Sequence, residues 1–238
     1  MATALARRLQ ERDGRRVRIV GGNGVPRWSE VWNHNPRIAA MHERGDFAVL
    51  AAGPNARHYI AEKRRDRWVW NDVFPEPGEI YLTEAERAQA IPAAVVIEPN
   101  LKPAANPNKR WRHWQAVVDA LPGLNWIQMG QGPVLRGAWH VRTPTFRDAC
   151  GVMSQARLYV GHEGGLHHAA AALGVRGVVV FGGYISPAQT GYRMHRNLFT
   201  GGVPCGSRLP CEHCRQSMDA ISVEWVLDEI HNMLREST

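Results

Sequence analysis

Tyr159-Val160-Gly161-His162-Glu163-Gly164-Gly165-Leu166-His167-His168-Ala169-Ala170-Ala171-Ala172-Leu173-Gly174 is the stretch that decides the fold. Leu158-Tyr159-Val160 reads as a short apolar strand. The glycines let the chain turn, and the alanine-rich run from Leu166 to Leu173 continues as a helix with Gly174 at its C-terminal end. The first amides of such a helix lack intrahelical acceptors and point outward, which suits a phosphate or diphosphate. Glu163 and His167 stand four residues apart and can face one pocket. Paired glycines also occur in strand-turn-helix connections that bind nothing, so the turn alone leaves both readings open.

Working outward, the second half of the chain alternates strand and helix. Ala94-Val95-Val96-Ile97-Glu98-Pro99 is an apolar strand with a proline stop, and Trp126 to Gly130 and Val178 to Phe181 are two more. Between them lie helical spacings: Trp111, Trp114, Val117, Val118 and Leu121, then Thr145 to Gln155. Ser222 caps a last helix from about Val223 to Leu234. Continuous apolar strands separated by helices predict a parallel sheet covered on both faces. Ligands of such sheets bind beyond the carboxyl ends of the strands, here the loops after Val20, Ile97, Gly130, Val160 and Phe181.

The first ninety residues form a smaller α/β unit. A short basic helix leads into Val17-Arg18-Ile19-Val20 and the turn Gly21-Gly22-Asn23-Gly24. Phe47 to Ala52 is a second strand, closed by Gly53-Pro54-Asn55, and Glu79-Ile80-Tyr81-Leu82 a third. Thr83 and Glu86 form a capping box. The expected domains are 1–92 and 93–238.

The 238 residues are 44% hydrophobic and 21% charged, which excludes a disordered, collagenous or coiled-coil chain. No apolar run is long enough to span a membrane, and charges interrupt the N-terminus where a signal peptide would need an apolar core, so a cytoplasmic location is expected. Residues 1–67 carry 14 Lys and Arg against 7 Asp and Glu, which accounts for the whole net charge of +7. Only three of the 29 basic residues are lysines. Arginine's planar fork suits phosphate, so the front third is expected to face a polyanion; a solvated arginine-rich face is the alternative. Trp28, Trp32, Trp68 and Trp70 interleave with these arginines in a pattern that suits stacking on bases or sugars, although Trp68 and Trp70 read better as core of the small domain.

The turn His162-Glu163-Gly164-Gly165-Leu166-His167, the strand end Phe181-Gly182-Gly183 and the basic Asn108-Lys109-Arg110-Trp111 together resemble glycosyltransferase family 9, over roughly residues 94–234. That family includes the ADP-heptose lipopolysaccharide heptosyltransferases. The resemblance implies a GT-B fold of two Rossmann-like parallel-sheet domains facing a cleft, the N-terminal one reduced here. It implies a nucleotide-diphosphate sugar donor held by Lys109, Arg110, Trp111, His162, Glu163, Gly164, Gly165, His167, Gly182 and Gly183. Catalysis would need no cofactor, because a cation and a helix N-terminus can stabilise the leaving diphosphate.

Two departures from the family pattern are visible. His162 stands where the family has Asp, and the loop after the first strand lacks a carboxylate to act as base. Glu163 and Asp46 lead the candidates for that base, with Glu30 a third. Asn23, Arg27, Trp28 and Arg57 are the candidate acceptor contacts. The acceptor would be anionic: a lipopolysaccharide-type glycan, or DNA carrying a hydroxymethylated base. A non-catalytic binder of sugar nucleotides or nucleic acid is the third reading. Finally, Cys205, Cys211 and Cys214 are spaced as candidate ligands of a structural zinc or iron, with His213, His195 or Cys150 as a fourth; reduced thiols are the alternative.

Overall fold

The apolar runs become a parallel sheet in the computed structural model, which describes residues 2–52, 57–102 and 105–236. In chain order the elements are α1 (Ala2–Asp13), β1 (Val17–Gly21), β2 (Ala48–Ala52), β3 (Ile60–Lys63), β4 (Trp68–Trp70), α2 (Glu84–Arg87), β5 (Val95–Glu98), α3 (Trp114–Ala120), β6 (Trp126–Met129), β7 (Trp139–Val141), α4 (Phe146–Met153), β8 (Leu158–His162), α5 (Gly165–Ala172), β9 (Gly177–Val180), α6 (Pro187–Thr190), β10 (His195–Leu198), α7 (Glu212–Asp219) and α8 (Val223–Arg235). Six strands form the main sheet in the order β10-β9-β8-β5-β6-β7, all parallel. β5 and β8 lie together at its middle, with Glu98 opposite Gly161. The chain winds outward in both directions from this pair. That switch point is where an open parallel sheet leaves a crevice.

Alternate strand residues feed two cores, as a two-sided sheet requires. Val96, Ile127, Tyr159 and Val179 pack with α4 and α5 through Cys150, Met153, Ala169 and Ala170. Val95, Ile97, Val160 and Val178 pack with α3 and α8 through Trp114, Val118, Val226 and Ile230. The sheet and its six parallel strands agree with a GT-B-like architecture. The N-terminal parallel sheet is reduced to β1 and β2, paired from Val17 and Ala48 onward, with Ala6 of α1 in its core.

Capping chemistry sets the helix starts. Thr83 with Glu86 and Thr145 with Asp148 form capping boxes, and Ser222 accepts from the Trp225 amide. The expected third strand, Glu79 to Leu82, is irregular and joins no sheet. Pro75 and Pro77 before it cannot donate to a ladder, and the Glu79 carboxylate instead receives Arg7 and Arg37 from the first unit. The hairpin of β3 and β4 and the edge strands β7 and β10 were not legible in the sequence. The Gly53-Pro54-Asn55 turn lies outside the described residues. Among the described residues no helix is long and apolar enough to cross a membrane.

One buried clasp fastens the N-terminal segments to the main sheet. Arg147 on α4, only 7% exposed, holds Glu86 of α2 through two hydrogen bonds of 2.5 and 2.7 Å and donates to the Tyr81 and Glu30 carbonyls. The Arg147 hydrogen bond holds Glu86 down to about 2. This stabilisation is complete above the carboxyl's ordinary 4.5 and is lost as pH falls toward 2. Arg147→Ala should cost about 2 kcal/mol at pH 7, because it removes a charged hydrogen-bond partner from a half-buried carboxylate, and much less at pH 3. Denaturant unfolding at the two pH values measures this; equal losses at both would contradict the clasp.

Candidate functional site

Three adjoining cavities open at the carboxyl ends of β5, β6 and β8. The first, about 380 Å³, lies between the ends of β5 and β6 and the start of α5; Asn100, Lys102, Gln131, Phe146 and Gly165 are among its walls. The second, about 110 Å³, is bounded by Glu98, Lys102, Lys109, Glu163, Gly164 and Gly165. The third, about 330 Å³, is bounded by Arg57, Tyr59, Trp68, Lys109, Glu163 and Arg208, among others. Lys102 and Gly165 are common to the first two; Lys109 and Glu163 are common to the last two. The crevice is therefore one passage with an ion pair at its waist.

The start of α5 faces the small middle cavity. A Cβ at Gly164 would meet only the His162 carbonyl oxygen, at 4.0 Å, and one at Gly165 only the ends of Lys102 and Phe146, at 3.9 Å. No protein packing demands glycine here. What the two glycines leave is room beside the free amides, which an anion can use.

Two lysines converge on that room. Asn106 caps a short 3-10 turn, Pro107–Lys109, by accepting from the Asn108 amide, and this turn aims Lys109 inward. Its Nζ forms an ion pair with Glu163 Oε2; the two side chains are 19% and 5% exposed. Burial pushes the Glu163 carboxyl up, but Lys109, together with His168 and Thr190, more than offsets this and keeps it below its ordinary range, hence ionised. Lys102, which sequence reasoning passed over, reaches Gly165 from the loop after β5. Its available signal was rarity: the chain has three lysines, and two of them stand in this loop and at the end of the Pro107–Lys109 turn.

Glu98 is the second residue missed. Burial pushes its carboxyl up to about 7. The Tyr159 hydroxyl lies 2.6 Å from Glu98 Oε2 and 3.1 Å from the His162 carbonyl oxygen. One hydroxyl proton cannot serve both acceptors, so both contacts are made when Glu98 carries a proton of its own. A neutral carboxyl can line an anion pocket without repelling its ligand.

Other predicted residues fall elsewhere. His162 is 1% exposed; its Nε2 accepts from the Trp111 amide and the Trp114 indole, and burial holds it neutral, down to about 3. Trp111 is core, its indole bonded to the Ile221 carbonyl. His167 is fully buried among His168, Phe181, Tyr192 and His195; it borders none of the three cavities, but one of its ring nitrogens lies within 4.8 Å of a Glu163 carboxylate oxygen. Gly182 and Gly183 press against Met218, and against His213 and Ser217, of α7. Arg110 borders a separate cavity beside the cysteines. Asp46 is 80% exposed, paired with Arg15, and precedes β2 at the amino end of the small sheet, away from the passage. Asn23, Arg27 and Trp28 follow β1, and none borders the three cavities; Trp28 bonds Asn33 instead. Of the expected acceptor contacts, only Arg57 borders the passage. Glu30 gives its carbonyl to Arg147.

The cysteines gather. Cys205 Sγ lies 3.9 Å from Cys211 Sγ and 3.1 Å from Cys214 Sγ. The ligand atoms of these three and of His213 fall within 4.8 Å of one another. Sulfurs on a tetrahedral ion stand about 3.8 Å apart for ~2.3 Å bonds, so the donor set fits a structural zinc or iron. The hydrogen bond from Cys214 lowers the Cys205 thiol, the direction that favours the thiolate a metal takes. Of the three expected fourth ligands, His213 is the one present. His195 bonds the Val175 carbonyl, and Cys150 is buried in α4. The cluster is also not remote from the turn of Lys109, despite its distance along the chain. Asn108 donates to the Ser207 and Leu209 carbonyls and accepts from the Cys211 amide.

No family model matches the sequence, and a search of curated proteins finds no match. Solved structures do match in shape. The E. coli ADP-heptose lipopolysaccharide heptosyltransferase II superposes with a TM-score of 0.51 at 18% identity, over 68% of this chain and 56% of that one. The iron-containing dodecameric glycosyltransferase TibC of enterotoxigenic E. coli gives 0.52 at 17%, over 67% and 50%. A glycosyltransferase of family 9 from Veillonella parvula gives 0.51 at 18%, over 67% and 54%. The chain thus has the fold of these glycosyltransferases and spans little more than half their length.

Folding raises the Glu98 carboxyl, so between pH 4.5 and 7 the native state binds more protons than the unfolded chain. Stability contributed by this group therefore falls as pH rises through that window, by at most about 3 kcal/mol. Thermal unfolding of wild type and Glu98→Gln from pH 5 to 8 should show the variant gaining on wild type as pH rises. A constant difference would contradict this assignment.

Proposed function

We propose that this chain transfers a sugar from a nucleotide-diphosphate sugar to a hydroxyl of an anionic acceptor. The observation that carries the reading is the passage itself: an open helix start with two lysines in its middle, a cavity on either side, and one ionised carboxylate shared with the acceptor side. The solved neighbours named above are heptosyltransferases and glycosyltransferases, and TibC has been described bound to ADP-D-beta-D-heptose.

In this reading the nucleoside occupies the larger cavity between the ends of β5 and β6. The diphosphate lies on the Gly164 and Gly165 amides, flanked by Lys102 and Lys109, with Glu98 protonated beside it. The sugar points past Lys109 toward the third cavity. Glu163 takes the proton of the acceptor hydroxyl as its oxygen bonds to the anomeric carbon, and the bond from that carbon to the diphosphate breaks. The departing charge falls on the amides and the two ammonium groups. Without donor, Lys109 is spent on Glu163. A diphosphate offers Lys109 a second, more highly charged partner, which loosens its hold on Glu163 and makes that carboxylate a better base. Donor binding thereby prepares the base.

The cysteine cluster would hold a structural zinc or iron, closing the loop from Cys205 to Cys211 that braces Asn108 and the Lys109 turn. Elemental analysis by mass spectrometry should find one such ion per chain. Cys211→Ser should lower both metal content and melting temperature. Full metal content in that variant would contradict the assignment.

Calorimetry with ADP, UDP and GDP and a transfer assay test the reading together. Lys102→Ala and Lys109→Ala should each weaken nucleotide binding about 10- to 100-fold, the worth of one charge-assisted contact. Glu163→Gln should keep nucleotide binding within a few-fold and lose transfer. Binding indifferent to both lysines would refute the proposed donor site.

A further inference from the structure

The positive charge of the N-terminal third is neutralised unevenly. In the first unit Arg7, Arg8, Arg15, Arg16 and Arg37 all meet carboxylates. Among the described residues Arg12, Arg18, Arg27 and Arg44 of that unit make no ion pair, and at the third cavity no arginine on its wall does. Among the described residues, Arg57 and Arg208 make no ion pair, and neither do Arg65 and Arg67 in the turn between β3 and β4. All four are exposed.

Arg57 and Arg208 are instead placed by one aromatic ring. Their guanidinium carbons stand 5.8 and 5.9 Å from the centroid of Trp68. A cation held by a π face keeps its N–H forks unspent. The backbone fixes this arrangement. The Arg208 amide donates to the Asp66 carbonyl and the Trp68 amide to the Gly206 carbonyl. Gly206 has φ +64°, and a Cβ there would fall 1.9 Å from the Trp68 carbonyl oxygen, so only glycine lets the two segments meet so closely. Trp70 anchors the hairpin through its indole to the Tyr184 carbonyl. Cys205 and Cys211 bracket the loop that carries Arg208. Both guanidiniums lie by one indole at a cavity whose acid, Glu163, is already paired with Lys109, so their forks are left to an incoming anion.

The sequence placed Trp68 and Trp70 in the core of the small domain. The structure packs them on the main unit, half-buried, as walls of the cavity that ends at Glu163. We infer that Arg57 and Arg208, seated on Trp68, bind a backbone phosphate of a nucleic-acid acceptor. This inference rests on the transferase reading and names its acceptor. Here unpaired arginines continue onto the hairpin turn at Arg65 and Arg67, as a chain of phosphates requires, and Tyr59, Trp68 and Trp70 supply aromatic surface for an unstacked base.

The test uses the full chain and fluorescein-labelled single-stranded and duplex DNA of about 20 nucleotides, with binding followed by anisotropy across a salt series. Wild type should bind with steep salt dependence. The Arg57→Gln/Arg208→Gln variant should lower the slope of log affinity against log salt by about 0.7 to 0.9, the share of the one phosphate that the two side chains hold. Arg12→Gln on α1 removes an exposed charge far from the cavity and controls for net charge; it should change the slope little. All substitutions lie at exposed positions, and unchanged melting curves verify the fold. Absence of DNA binding, a slope unaffected by the double variant, or a loss matched by Arg12→Gln would each overturn the inference. So would tighter binding of a phosphorylated oligosaccharide that displaces the DNA. Calorimetry of wild type with ADP, UDP and GDP separates the two levels. Nucleotide binding without DNA binding refutes the acceptor assignment alone. DNA binding without nucleotide binding refutes the transferase reading and leaves the phosphate cradle standing.

Discussion

The ion pair between Lys109 and Glu163 is the constraint on which the rest of the passage depends. It joins the residue after β8 to a turn 54 residues earlier in the chain, and its carboxylate is only 5% exposed. A buried carboxylate without a cation would take up a proton, so Lys109 helps to keep Glu163 charged. The same pair divides the crevice, so anything that binds on one side is felt on the other through a shared charge.

The surroundings hold this pair in place by a chain of polar contacts. Asn106 forms the turn, and Asn108 binds the loop from Ser207 to Cys211 through three hydrogen bonds. That loop is closed by the cysteine cluster and carries Arg208, whose backbone meets the hairpin. The hairpin, the cysteine loop and the Lys109 turn thus form one braced wall of the passage. The wall explains how a chain with a two-stranded N-terminal sheet can still enclose a cavity beside the carboxyl ends of its main strands.

Much of the main unit was legible in the sequence, because its signals are local. Apolar runs such as Val95 to Ile97, the capping residues Thr83, Thr145 and Ser222, and the glycine turn before α5 each act within a few residues. Lys109 was legible as a basic residue in a recognisable setting. What stayed hidden depends on distant partners. Glu79 to Leu82 has the composition of a strand but is claimed by Arg7 and Arg37. His162 sits in a binding motif, yet two tryptophan N–H groups occupy its ring. Glu98 looks like the polar end of a strand; only burial against Tyr159 reveals a carboxyl with a raised pKa. Lys102 and Arg208 lie in irregular loops, where no periodicity marks which way a side chain turns.

A diphosphate at the start of α5, as proposed, would be reported most directly by the backbone amides of Gly164 and Gly165. Nuclear magnetic resonance of 15N-labelled protein titrated with ADP, UDP and GDP should show these two amides shifting most, to saturation, with at least one of the three nucleotides. If every nucleotide leaves both amides unmoved, or if shifts concentrate at the cysteine loop and spare the helix start, the claim is contradicted.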